Sequence, residues 1–133
     1  MEKALVELLA KAAREFSGKE LLALDIGIFP WSSSIEVSFL FSEDECDSED
    51  IAAWPHYDYS EFNEGGWLQA KPIAEQLAKE WEKDSNIVGI LKREALVVTF
   101  PKVREAISRF TLAKDFKVQV LNSDDSNSPN YCA

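Results

Sequence analysis

The chain has 133 residues, a hydrophobic fraction of 46% and a net charge of −10, which fits one folded domain and excludes a disordered polymer. Its two cysteines, Cys46 and Cys132, are too few for a disulfide scaffold. Nothing approaches the roughly 20 apolar residues of a membrane span, and Met1–Leu5 leads into an amphipathic pattern rather than a secretory leader, so a soluble, cytoplasmic protein with reduced thiols is expected.

Residues 2–16 carry Leu5, Leu8, Leu9, Ala12 and Phe16 at helical spacing, with Glu7, Lys11 and Glu15 paired on another face. Ser17-Gly18 ends that helix, Gly18 at the position that needs left-handed backbone freedom. Leu21–Phe29 and Ile35–Phe41 read as strands; in the second, Ile35, Val37, Phe39 and Phe41 alternate with Glu36, Ser38 and Leu40, which predicts one buried face. Residues 30–34 join the two as an antiparallel hairpin with a loop longer than two residues.

Residues 42–50 form an acidic run that must be exposed, with Asp47 or Ser48 placed to cap a helical turn over residues 49–53. Residues 51–67 are aromatic and irregular, and His56–Tyr59 could pair as a short third strand. A second helix is expected over Pro72–Asp84. Ile87–Phe100 is read as helix, despite the strand propensity of residues 96–100, with a break at Pro101. A helical stripe then runs to about Leu112, and Phe116–Leu121 forms a final strand. Residues 1–121 are taken as a single globular domain and residues 122–133 as a polar, loose tail. The expected fold class is α/β (α+β): a small, mostly antiparallel sheet of three to five strands with helices packed on one face.

The charge is local. From Glu20 to Ala70 there is no Lys or Arg and there are 12 acidic residues, while all 14 basic residues lie outside that segment. This argues against a nucleic-acid partner, which needs a basic footprint, and against an anionic membrane. It leaves a basic protein partner, a cation or plain solubility.

The run Glu43-Asp44-Glu45-Cys46-Asp47-Ser48-Glu49-Asp50 lacks the central Gly and alternating ligands of a calcium loop. His56 with Cys46 and Cys132 lacks the ligand number and spacing of a zinc site, and carboxylates around Cys46 disfavour a reactive thiolate. Asp25 and Glu36 fall on neighbouring strands, but a glycosidase-type pair needs a defined cleft, and solvent-facing strand positions explain them more simply. No cofactor, metal or catalytic residue is therefore expected. The acids are interleaved with aromatics of the types that anchor interfaces. The expected partner-binding residues are Trp31, Glu43, Asp44, Glu45, Asp47, Glu49, Asp50, Trp54, Tyr57, Asp58 and Tyr59.

The layout resembles bacterial immunity proteins of toxin systems. The resemblance is carried by an N-terminal helix, a hairpin joined at Ile28-Phe29-Pro30-Trp31, an acidic loop leading to Asp50-Ile51-Ala52-Ala53-Trp54, and an Asn130-Tyr131-Cys132 tail. It implies a non-enzymatic inhibitor that covers a basic toxin active site, often that of a nuclease. The alternative is a structural or regulatory subunit, including a homodimer, whose acidic loop only confers solubility.

Overall fold

A computed structural model describes residues 1–62 and 66–133; residues 63–65, inside the stretch expected to be irregular, lie outside the described residues. Helix α1 spans Glu2–Glu15, and strands β1 (Glu20–Phe29) and β2 (Ser34–Phe41) follow. A short helix α2 (Tyr59–Phe62) precedes α3 (Lys71–Lys83), α4 (Ile87–Leu96), α5 (Pro101–Ser108) and strand β3 (Thr111–Gln119). The fold class is α+β: a three-stranded sheet in the order β2-β1-β3 with helices packed on it.

Gly18 sits at φ +86°, as the end of α1 requires. The turn between β1 and β2 is a 3₁₀ segment at Pro30–Ser32, closed by Ser33 in the left-handed conformation. The longer ladder is the antiparallel one between β1 and β2; β3 joins the other side of β1 in parallel. One face of the hairpin, Leu24, Ile26 and Ile28 with Ile35, Val37 and Phe39, meets the apolar stripes of α1, α3, α4 and α5. A bulge between Leu21 and Ala23 shifts the register. It lets Leu21 join that same core, which strict alternation from Leu24 would forbid.

Two expectations change at the C-terminal end. The helical stripe stops at Ser108 rather than near Leu112, and β3 begins at Thr111 rather than Phe116. Thr111 and Leu112 lie opposite Glu20 and Leu21, so pairing with a distant strand overrides the local helical pattern. Ile87–Leu96 is helical as expected, continuing as a 3₁₀ turn over Val97–Thr99 up to Pro101. Asn86 caps α4, its Oδ1 accepting from the Gly89 N–H at 3.0 Å.

Residues 122–133, read from sequence as a polar tail, turn back on β3. Asn130 Oδ1 accepts from the backbone N–H of Val120 and Cys132, and Asn130 Nδ2 donates to Val118 O at 2.9 Å. The Tyr131 N–H donates to Val120 O. One asparagine thus holds the tail against the end of the strand.

Residues 44–60 serve the outer edge of β2. The N–H groups of Val37, Phe39 and Phe41 point away from β1, and each finds a partner: Ser60 Oγ at 3.3 Å, His56 O at 3.2 Å and Asp44 Oδ2 at 2.9 Å. His56 makes only an isolated bridge to Phe39, so the expected third strand at His56–Tyr59 does not form. Asp58, at φ +48°, turns the chain away and Tyr59 opens α2. The segment alternates across the edge. Trp54 packs with Ala23 and Leu40 on the outer face, and Tyr59 joins the helix-side core. The His56 ring lies 4.6 Å from Phe16 and 5.5 Å from Phe41. Both faces of β2 are therefore covered, where the sequence alternation predicted one.

Candidate functional site

The outer face of the sheet is the side opposite α1, α3, α4 and α5, and the register dictates what lies there. Asp25 is opposite Ser38 on β2 and Gln119 on β3, while Gly27 is opposite Glu36. Asp25 is only 6% exposed, which corrects its reading as a solvent-facing strand residue. Gln119 Nε2 donates to its Oδ1 at 3.0 Å. Burial, opposed by this bond and aided by the nearby Glu36 charge, pushes the Asp25 carboxyl up to about 6.

Asp58 is also buried. Its backbone N–H donates to Ser38 Oγ at 2.8 Å, and its Oδ1 accepts from Ser60 Oγ. Burial and Glu36 push this carboxyl to about 6 as well. Between the two, Glu36 Oε2 accepts from the Tyr57 hydroxyl at 2.9 Å. Burial first, then that bond and the surrounding carboxylates, raise the Tyr57 phenol to about 12. None of these three carboxylates is ion-paired among the described residues.

The acidic loop runs beside this face with Glu43, Glu45, Asp47, Glu49 and Asp50 exposed and Asp44 half-buried. Asp44 is held by its bond to the Phe41 N–H, and Asp47 Oδ1 accepts from the Glu49 N–H. The turn at Ile51–Ala53 forms with no side-chain cap from Asp47 or Ser48. Among the described residues only Glu43 of this loop has a basic partner, Lys19 Nζ at 3.2 Å, itself over the Phe16 and Phe41 rings. Burial and then Asp44, Asp47 and Asp50 hold the Cys46 thiol above its usual range. Cys132 is pushed up to about 11, mainly by burial. Among the described residues no group of three or more His, Cys, Asp or Glu is arranged to hold a metal ion.

Comparison with protein-family models, curated proteins and solved structures finds no match. The residues themselves must carry the functional reading.

Of the expected anchors, Trp31 is 41% exposed at the hairpin turn, its ring against Phe29 and Trp81. Tyr57 is half-buried with its hydroxyl committed to Glu36. Trp54, Tyr59 and Asp58 are buried, at 3%, 6% and 8% exposure. Trp54 and Tyr59 pack on the two sides of the β2 edge, so most of each ring is spent on the protein's own core. The Trp54 indole N–H is moreover a buried donor with no acceptor among the described residues.

Sequence reasoning missed the sheet's contribution. A cleft of about 400 Å³ lies on the outer face between the acidic loop and the C-terminal tail. Its floor is Asp25, Gly27, Phe29 and Gln119, with Glu49 and Ile51 on one side and residues 121–130 on the other. A Cβ at Gly27 would meet Phe29 Cε2 at 2.7 Å, so the glycine lets that ring lie over the strand. The available signal was Asp25 and Gly27 in the otherwise apolar run Leu21–Phe29, two residues apart and so on one face.

Proposed function

We propose that this chain is a non-enzymatic protein-binding module that neutralises a basic partner, in the manner of an immunity protein covering the active site of a toxin domain such as a nuclease. The observation that carries this reading is a negative face most of whose carboxylates have no ion-pair partner among the described residues. Glu45, Asp47, Glu49 and Asp50 in the loop, Asp25 and Glu36 on the sheet, and Asp58 beside the β2 edge make no ion pair among the described residues. Carboxylates that fold without neutralisation repel one another, and a complementary surface relieves that repulsion on docking. The loop is fixed at both ends by its bonds to β2, so little conformational freedom is lost when it docks. Trp31 and the accessible part of Tyr57 supply aromatic contact at the margins.

The test is calorimetric titration of the protein with a cognate basic toxin domain, at low and at physiological salt. Affinity that falls as salt rises, and that collapses on Glu45→Lys, Asp47→Lys, Glu49→Lys and Asp50→Lys combined, supports the reading. Binding indifferent to these four reversals overturns it.

A further inference from the structure

We propose that the cleft on the outer face of the sheet receives an arginine side chain of the basic partner, its guanidinium held over Asp25 and its stem lying along Phe29. This deepens the docking reading and rests on it.

Three observations converge. The first is shape: about 400 Å³ falls within the range of sites that enclose small groups, roughly 300–1,000 Å³. The second is charge. Asp25 from β1, Glu49 from the acidic loop and Asp125 from the tail border the cleft from three directions, against Lys117 as the single bordering cation. Among the described residues these acids form no metal-binding group, and carboxylates set apart around a cleft suit a cation whose charge is spread over several atoms. The third is the state of Asp25 itself. It is more than nine-tenths buried, and the exposure it keeps opens into the cleft. Oδ1 is occupied by Gln119, while Oδ2 takes no hydrogen bond from any described residue.

The lining selects between cations. A guanidinium has five N–H donors in a plane, and the cleft offers carboxylates together with the exposed hydroxyls of Ser123 and Ser126. Its apolar stem meets the Phe29 side chain on the cleft floor. An ammonium is a compact, strongly hydrated point charge and matches a spread set of acceptors less well.

The probe is N-acetylarginine-N-methylamide, titrated into the 15N-labelled protein at pH 7, with the citrulline analogue as a neutral isostere. Shifts at the amides of residues 25–29, 117–119 and 122–130 are expected for the arginine probe and not for citrulline. Asp25→Asn should weaken the probe about tenfold or more, the effect of losing a charge-assisted bond. Glu49→Gln with Asp125→Asn, both on exposed or flanking positions, should weaken it as well. Equal binding of the citrulline analogue, shifts confined to Glu43–Asp47, or an Asp25→Asn variant that binds as the parent does would overturn the proposal. The probe needs no partner protein. Partner binding without probe binding therefore removes the cleft alone, and probe binding without partner binding removes the docking reading.

Discussion

Replacing Asp25 by Asn should stabilise the protein at neutral pH and change how its stability depends on pH. Asn keeps an oxygen for the Gln119 amide, which donates to Asp25 Oδ1 at 3.0 Å, and it removes the charge that burial penalises. The Asp25 carboxyl rises from 3.8 to about 6 in the folded protein. At about 1.36 kcal/mol per unit this corresponds to ~3 kcal/mol. Because the folded state holds the proton more tightly, it binds more protons than the unfolded chain between about pH 4 and 6. The contribution of this group to stability is therefore complete below the unfolded value. It is lost as pH rises to about 6, and it is level above. Urea unfolding at pH 4, 5, 6 and 7 reads the effect directly. The advantage of Asp25→Asn over the parent should grow from near zero at pH 4 to as much as ~3 kcal/mol at pH 7. Asp58, raised by burial and Glu36, leaves a residual slope of the same sign in the variant. A difference between the two proteins that stays constant from pH 4 to pH 7 would refute a buried, proton-retaining Asp25.

Trp54→Ala should cost about 3–5 kcal/mol through the cavity it leaves. Trp54→Phe should cost under ~1.5 kcal/mol, because it deletes a buried donor that has no acceptor among the described residues; chemical denaturation separates the two, and equal losses would contradict the orphan N–H. Asn130→Ala should destabilise by about 1–3 kcal/mol and raise amide exchange at Val120 and Cys132, whose N–H groups it serves. Asn86→Ala should cost about 1 kcal/mol as a lost N-cap, with faster exchange at Gly89 as its local signature.

Much of the fold was legible because it is periodic. The stripes of α1 and α3 and the hairpin of β1 and β2 follow from residue spacing, and so does the helix over residues 87–96 with its break at Pro101. What escaped reading depends on contacts between distant residues. Leu40 and Ser38 looked solvent-facing until Trp54, from a segment with no period of its own, was seen to cover that side. Thr111 and Leu112 fitted a helical stripe, and only their pairing with Glu20 and Leu21 makes them strand. The exposed acids of the loop were legible from composition alone, since six carboxylates in eight residues must be solvated. The acids on the sheet were not, because Asp25 owes its burial to Gln119, ninety-four positions away. Trp54 and Tyr59 show the limit of reading aromatics as anchors: in a segment bordering a strand edge, rings turn inward first.

The way β2 is sealed has a consequence for self-association. Residues 35–41 are rich in β-branched and aromatic side chains with a single charge, the composition of a segment that templates cross-β stacking when its edge is bare. Among the described residues no further strand guards it; one backbone carbonyl, a serine hydroxyl and an aspartate do. The flanking acids act as gatekeepers of the same stretch, and their mutual repulsion would keep two unsealed edges apart. A truncation that removed residues 44–60 would thus discard the charged surface and the guard together, and the product to expect is an insoluble fibril rather than an inactive monomer.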